Sequence, residues 1–155
     1  NLEPMIAKPH TVDNVAPVSE VKGTKINQVF FGSCTNGRYE DFAEIIDIID
    51  GQKIHPAVRM VVFPASMKVY KQILQQGWIE KLVDFGAVMM NPGCGPCMGN
   101  HEGILADDEV CVATSNRNFK GRLGNKNSFV YLASPRTAAY CALIGEIADF
   151  RELDR

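Results

Sequence analysis

Apolar residues recur at Phe42, Ile45, Ile46 and Ile49, the i, i+3, i+4, i+7 spacing of one helix face, and Gly51 follows as a stop. The pattern predicts a helix over 38–49. Before it, 26–32 (INQVFFG) is a short apolar run ending in glycine, the pattern of a buried strand. The alternation continues with a strand over 58–63 (VRMVVF), a helix over 66–76 ended by Gly77, a short helix over 78–85 and a strand over 87–90. Two further strands are expected at 110–114 (VCVAT) and 129–133 (FVYLA). Ser134 and Pro135 then open a last helix as N-cap and first-turn proline.

Strands separated by helices predict an α/β fold, layered α/β/α around a largely parallel sheet. Residues 1–25 differ. Pro4, Pro9 and Pro17 each remove a backbone donor and bias the preceding residue to extended geometry, so this segment is expected as an extended lead-in or linker, with one domain over 26–155. The first residue is Asn rather than Met, and the chain is expected to be a fragment of a longer protein with earlier domains before it.

Composition narrows the classes. The 155 residues are 46% hydrophobic and 22% charged with a formal charge of −2, which suits one folded domain rather than a disordered segment. No stretch approaches the ~18 apolar residues of a spanning helix. A pI near 5.9 argues against a globally basic nucleic-acid binder. The five cysteines are an odd number without a secretory signal, so reduced, cytoplasmic usage is expected.

In open α/β sheets ligands collect beyond the carboxyl ends of the strands. Here those ends lead into loops at 33–37, 91–100 and 115–128. The first holds Cys34 in GSCTNG, and the second holds Cys94 and Cys97 in NPGCGPCMG. Two thiols three positions apart can face one metal centre, and a third thiol follows an equivalent strand. The glycines and prolines keep the backbone close to whatever is bound, which suits a bulky inorganic cluster. Cys111, inside a strand, and Cys141, on the small-residue face of the last helix, are expected in the core.

Two other readings of the loop thiols stand beside this one. Zinc would take a fourth ligand, for which His101 is near. A dithiol oxidoreductase would use Cys94-Gly95-Pro96-Cys97 alone, a tetrapeptide shared with thioredoxin, but it leaves Cys34 unused. His10 and His55 read as surface polar residues, and Glu40, Asp41, Glu44 and Asp47 as a solvated helix face. Between Glu109 and Glu146 there is no acid and there are five bases, Arg117, Lys120, Arg122, Lys126 and Arg136. Arginine forks there suit an anionic substrate with carboxylates, and a merely solvated basic loop or a nucleic-acid patch would carry the same charge.

GSCTNGRYEDF, NPGCGPCMGNHEG and SNRNFKGR, in this order and spacing, resemble the iron–sulfur signatures of the aconitase superfamily, and within it the 3-isopropylmalate dehydratase large subunits; KPHTVDNVAPVSEVKGTKI and ASPRTAAYCALIGEI resemble the same group. The resemblance implies that Cys34, Cys94 and Cys97 ligate a [4Fe-4S] cluster, that Asn36 and Asn116 line it, and that Arg117 and Arg122 hold substrate carboxylates. It implies a hydro-lyase that isomerises 2- and 3-isopropylmalate by dehydration and rehydration in leucine biosynthesis. Homoaconitase or aconitase, acting on a tricarboxylic acid, is the alternative within the group. No catalytic base is expected in this chain. The resemblance implies a serine base from a swivelling domain on a separate small subunit, and further acid–base residues from earlier domains of the large subunit. The chain alone is therefore expected to be inactive, with no nucleic-acid or membrane partner.

Overall fold

The computed structural model describes residues 2–153. Two short strands, β1 (Met5–Ala7) and β2 (Val15–Pro17), come first. They are followed by β3 (Gln28–Gly32), α1 (Tyr39–Ile49), β4 (Arg59–Phe63), α2 (Met67–Gln75), α3 (Trp78–Phe85) and β5 (Ala87–Met89). The chain then forms β6 (Val110–Ala113), β7 (Phe129–Leu132) and α4 (Pro135–Ile144). Ser66 and Ser134 cap α2 and α4 by accepting from Val69 N and Thr137 N, each at 3.3 Å.

The strands form one sheet in the order β2-β1-β7-β6-β3-β4-β5. From β7 to β5 every pairing is parallel, whereas β1 meets both β2 and β7 antiparallel. This is the α/β fold with a largely parallel sheet that the alternation predicts. The segment expected as a plain lead-in carries β1 and β2, and it buries Ile6, Ala16 and Val18. Pro17 ends the strand at the sheet's edge, where a missing donor costs no ladder bond.

Side chains alternate between the sheet's two faces with the period of two that a strand imposes. Val29 and Phe31, Met60 and Val62, and Val112 face one cluster with Phe42, Ile45 and Ile49 of α1 and with α4's Ala138 and Cys141. Phe30, Val61, Phe63, Cys111 and Ala113 face the other, where Leu105 and Leu123 close over them. The helices thus share one cluster, and two loops cover the opposite face. Their course follows from connectivity, because among the described residues neither β5→β6 nor β6→β7 contains an α-helix. No described helix is long and apolar enough to cross a membrane.

Candidate metal and substrate site

β3 is the middle of the five parallel strands and the point where their winding reverses. The chain runs from β3 outward to β4 and β5, then returns to add β6 on β3's other side. At such a switch point the loops leaving adjacent strands diverge and open a crevice at their carboxyl ends. The loops leaving β3 and β6 carry Cys34 with Asn36 and Asn116 with Arg117.

Side-chain amides lace these two loops together. Asn36 Nδ2 donates to the Thr114 carbonyl and to Asn116 Oδ1, the latter at 2.8 Å. Asn116 Nδ2 donates in turn to Thr35 Oγ1 at 2.7 Å. Beneath them Gly32 N donates to Thr114 Oγ1 at 2.9 Å, tying the end of β3 to the end of β6. Cys34 is exposed above this lattice, at the edge of an open cleft of about 430 Å³ that Arg38, Tyr39, Ser66 and Lys68 also line.

The loop after β5 reaches the site through a 3-10 turn over Gly95–Met98 that opens at Cys94. Gly95 makes the descent possible. A Cβ there would lie 2.4 Å from Phe63 Cζ, so only glycine lets the turn rest on that ring. Phe63 is itself wedged edge-on against Phe30, with centroids 5.7 Å apart. Cys94 is exposed and Cys97 half-buried. Arg122 Nη2 points at Cys97 Sγ from 3.4 Å, and its guanidinium lies 5.4 Å over the Phe119 ring. Arg117 stays exposed, with Nη1 donating to the Asn116 carbonyl at 2.9 Å.

Asn36 and Asn116 are thus brought together, as are Cys97 and Arg122. Cys34 and Arg117 lie on the two loops that the amides lace together, with Cys34 lining the cleft and Arg117 on the Asn116 carbonyl. His101 does not approach the thiols as a zinc ligand would; its Nδ1 lies 3.1 Å from Glu102 Oε2. Cys111 and Cys141 are fully buried, and burial pushes both thiols up to about 12. The charged residues lining the Cys34 cleft are Arg38 and Lys68, with Glu40 opposed to them.

The residues present fit an iron–sulfur cluster. Cys34 in the loop after β3 and Cys94 and Cys97 in one turn after β5 offer the soft thiolate donors such a cluster takes, although among the described residues no three Cys, His, Asp or Glu side chains are gathered as a metal-holding group. Beside Cys97 the buried Arg122 Nε also lacks a partner among the described residues. An orphaned buried donor costs about 1–3 kcal/mol, so the Arg122 edge is built for an acceptor that the polypeptide does not supply.

Comparison with known proteins agrees with this geometry. The model of the aconitase family (aconitate hydratase) matches residues 1–145. The chain belongs to the aconitase family. The 3-isopropylmalate dehydratase large subunit 2 of Archaeoglobus fulgidus is 55% identical over 152 residues, which is 98% of this chain and 36% of that protein. The corresponding subunit 2 of Pyrococcus furiosus is 52% identical over 149 residues, 96% of this chain and 39% of that protein. The methanogen homoaconitase large subunit of Methanocaldococcus jannaschii is 51% identical over 149 residues, again 96% of this chain and 36% of that protein. This aconitase-family chain therefore spans just over a third of the length of the curated relatives it matches.

Several working residues of the domain have no motif in the sequence. Gln28 is fully buried, accepting from Arg59 Nε at 2.6 Å and donating to the Gly103 carbonyl at 2.8 Å. Asn118 is fully buried too, and its Nδ2 donates to the carbonyls of Lys8 and Val130, at 2.8 and 3.2 Å. It fastens the N-terminal hairpin to the basic loop. A polar residue in an apolar strand run was the only cue for Gln28, and Asn118 had none beyond its place beside Arg117.

Proposed function

We propose that this chain is the cluster-bearing domain of a 3-isopropylmalate dehydratase large subunit, working in the cytoplasm with a small subunit that carries the swivelling domain. The observation that carries the reading is the lacing of the Cys34 loop to the Arg117 loop at the sheet's switch point, with the turn that bears Cys94 and Cys97 against Arg122. The 55% and 52% identities to proteins named 3-isopropylmalate dehydratase support the substrate.

In this reading Cys34, Cys94 and Cys97 hold a [4Fe-4S] cluster, and Asn36 and Asn116 fix the two loops around it. The chemistry such a cluster supplies when bound is Lewis acidity at an iron without a protein ligand, which makes hydroxide a feasible leaving group near neutral pH. Arg117 offers its free donors to a substrate carboxylate, and Arg122 stands across the crevice for a second. The reaction removes a proton from carbon and hydroxide from its neighbour, then returns water with the positions exchanged. Ser66 lines the Cys34 cleft but is occupied in capping α2. Ser33 and Ser115 are buried, and Ser134 is occupied in capping α4. On the family resemblance the base comes from the small subunit, and this chain alone is inactive.

Anaerobic reconstitution with iron and sulfide tests the site. The expected result is about four irons per chain, lost in Cys34→Ser and kept in Cys111→Ser. A chain that binds one zinc, or that reduces insulin with Cys34→Ser as well as without it, overturns the reading. The reassembled two-subunit enzyme tests the substrate. Turnover of isopropylmalate over homocitrate-type acids is expected, and the reverse order assigns it to homoaconitase chemistry, which the 51% identity to a methanogen homoaconitase makes the informative comparison.

A further inference from the structure

Arg122 has two edges, and its side-on edge is turned toward a ligand thiol rather than toward open solvent. Nη2 lies 3.4 Å from Cys97 Sγ, and the Nε of the same edge is buried with no partner among the described residues. A guanidinium presents Nε–H and one Nη2–H in parallel, so two donors aim to the same side. One reaches the sulfur, and the other is buried beside it without a partner among the described residues. Phe119, half-exposed with its ring 5.4 Å from the guanidinium carbon, supports the group from its other face. Among the described residues Arg122 is therefore held by a thiol and a ring, not by a carboxylate.

We infer that Arg122 is a positioning residue for the cluster, donating from Nη2 to the Cys97 sulfur and from Nε to an adjacent cluster sulfide, and so setting how readily the cluster accepts an electron. The inference rests on the reading that Cys97 is a cluster ligand. An N–H donor and a positive charge beside a ligand sulfur stabilise the form carrying the extra electron, because hydrogen bonds to the sulfurs and local charge are what tune such clusters. Taking substrate carboxylate on its remaining Nη1 is compatible with this role.

The test is a one-electron redox titration of the reconstituted 155-residue chain, with dithionite as reductant and EPR as readout. In the titration one electron passes to the cluster and no bond breaks. At the poise where the parent is half reduced, Arg122→Met is expected to lower the reduced-to-oxidised ratio about tenfold, which corresponds to about 59 mV for one electron. Arg122→Lys, keeping the charge without the two-pronged edge, is expected to recover part of it. Phe119→Leu, which removes the supporting ring and leaves every donor in place, is expected to shift the ratio less in the same direction. This third variant keeps the inference testable should Arg122→Met fail to fold. Variants that hold the parent's iron and titrate at the parent's poise overturn the role of Arg122 and leave the cluster assignment standing. A parent that takes up no iron overturns both.

Discussion

Gly99 and Gly124 meet backbone to backbone. A Cβ built on Gly99 would lie 2.8 Å from Gly124 N and 2.9 Å from its Cα. Gly99 closes the turn that carries Cys97, and Gly124 follows directly on the strand of loop that carries Arg122. Their contact brings the thiol and the guanidinium into register, although the two belong to loops 25 positions apart in sequence.

Gly99→Ala is therefore expected to act twice. Its φ of +76° places an L side chain in the left-handed region at a cost of about 1 kcal/mol, and the clash with Gly124 adds to it. Gly23→Ala is the control, because its φ is +86° but a Cβ there meets nothing within 4 Å. Thermal unfolding should show a loss of roughly 2–4 °C for Gly23→Ala and at least twice that for Gly99→Ala. Equal losses would mean that the glycine contact does not hold the loops.

The five cysteines should separate in alkylation. Cys34 and Cys94 are exposed and Cys97 is half-buried, whereas Cys111 and Cys141 are buried with their thiols pushed up from 9.0 to about 12. Iodoacetamide at pH 8 on the folded apo chain is expected to label the first three and spare the last two, read by peptide mass. The sign of the stability effect follows from the same burial. Above pH 9 the unfolded chain ionises these thiols while the folded chain keeps them protonated, so stability falls as pH rises. Each buried thiol adds to that fall as pH rises from its ordinary value of 9.0 toward about 12. Alkaline unfolding of the Cys111→Ala/Cys141→Ala variant should be correspondingly less steep.

The chemistry of this chain was more legible than its edges. α1 and α3 follow from apolar spacing and glycine stops, and the three loops follow from the strand ends that precede them. The hairpin of β1 and β2 did not, because each strand is three residues long and the prolines argue for a passive segment. Its order depends on a partner far away, Ala7 against Leu132 of β7, which no local pattern encodes. The bond from Arg122 to Cys97 was hidden for the same reason. Composition showed a basic stretch suited to carboxylates, but only the glycine contact decides that one arginine turns to a sulfur.

Glu109 anchors the loop that runs beneath the thiol-bearing turn. Arg59 donates to both of its carboxylate oxygens, from Nη1 at 2.6 Å and from Nη2, and Ala106 N donates at 2.8 Å. The Arg59 guanidinium holds the Glu109 carboxyl below its usual 4.5, so the pair stabilises the fold above that pH and is lost as pH falls through the lowered value. Glu109→Gln is expected to cost about 1 kcal/mol at pH 7, modest because the pair is partly solvated. Its penalty relative to the parent should shrink during acid titration of stability, and a penalty constant from pH 7 to pH 3 would place the effect elsewhere.

Arg117 keeps most of its donors free, with only Nη1 engaged at the Asn116 carbonyl. In the assembled enzyme Arg117→Lys is expected to raise KM about tenfold, because an ammonium cannot bind a carboxylate as a two-pronged fork. A smaller change is expected in kcat. Steady-state kinetics at saturating and limiting substrate separate the two, and an unchanged KM would remove Arg117 from the substrate site.

Asn36 and Asn116 share one bond and hold different outer partners, so their variants should not be additive. Asn36→Ala loses the donors to Asn116 Oδ1 and to the Thr114 carbonyl, and Asn116→Ala loses the same shared bond together with the donor to Thr35 Oγ1. Once either is gone, the shared bond cannot be lost again, so the double variant should be less destabilised than the two singles combined, by about 0.5–1.5 kcal/mol. Denaturant unfolding of the four proteins measures that coupling. The two loops also carry a thiol and a guanidinium outward from this lattice, so each single variant of the reconstituted chain should lose iron to a chelator faster than the parent. A coupling near zero would mean that the backbone of β3 and β6, through Gly32 N and Thr114 Oγ1, holds the loops without the amides.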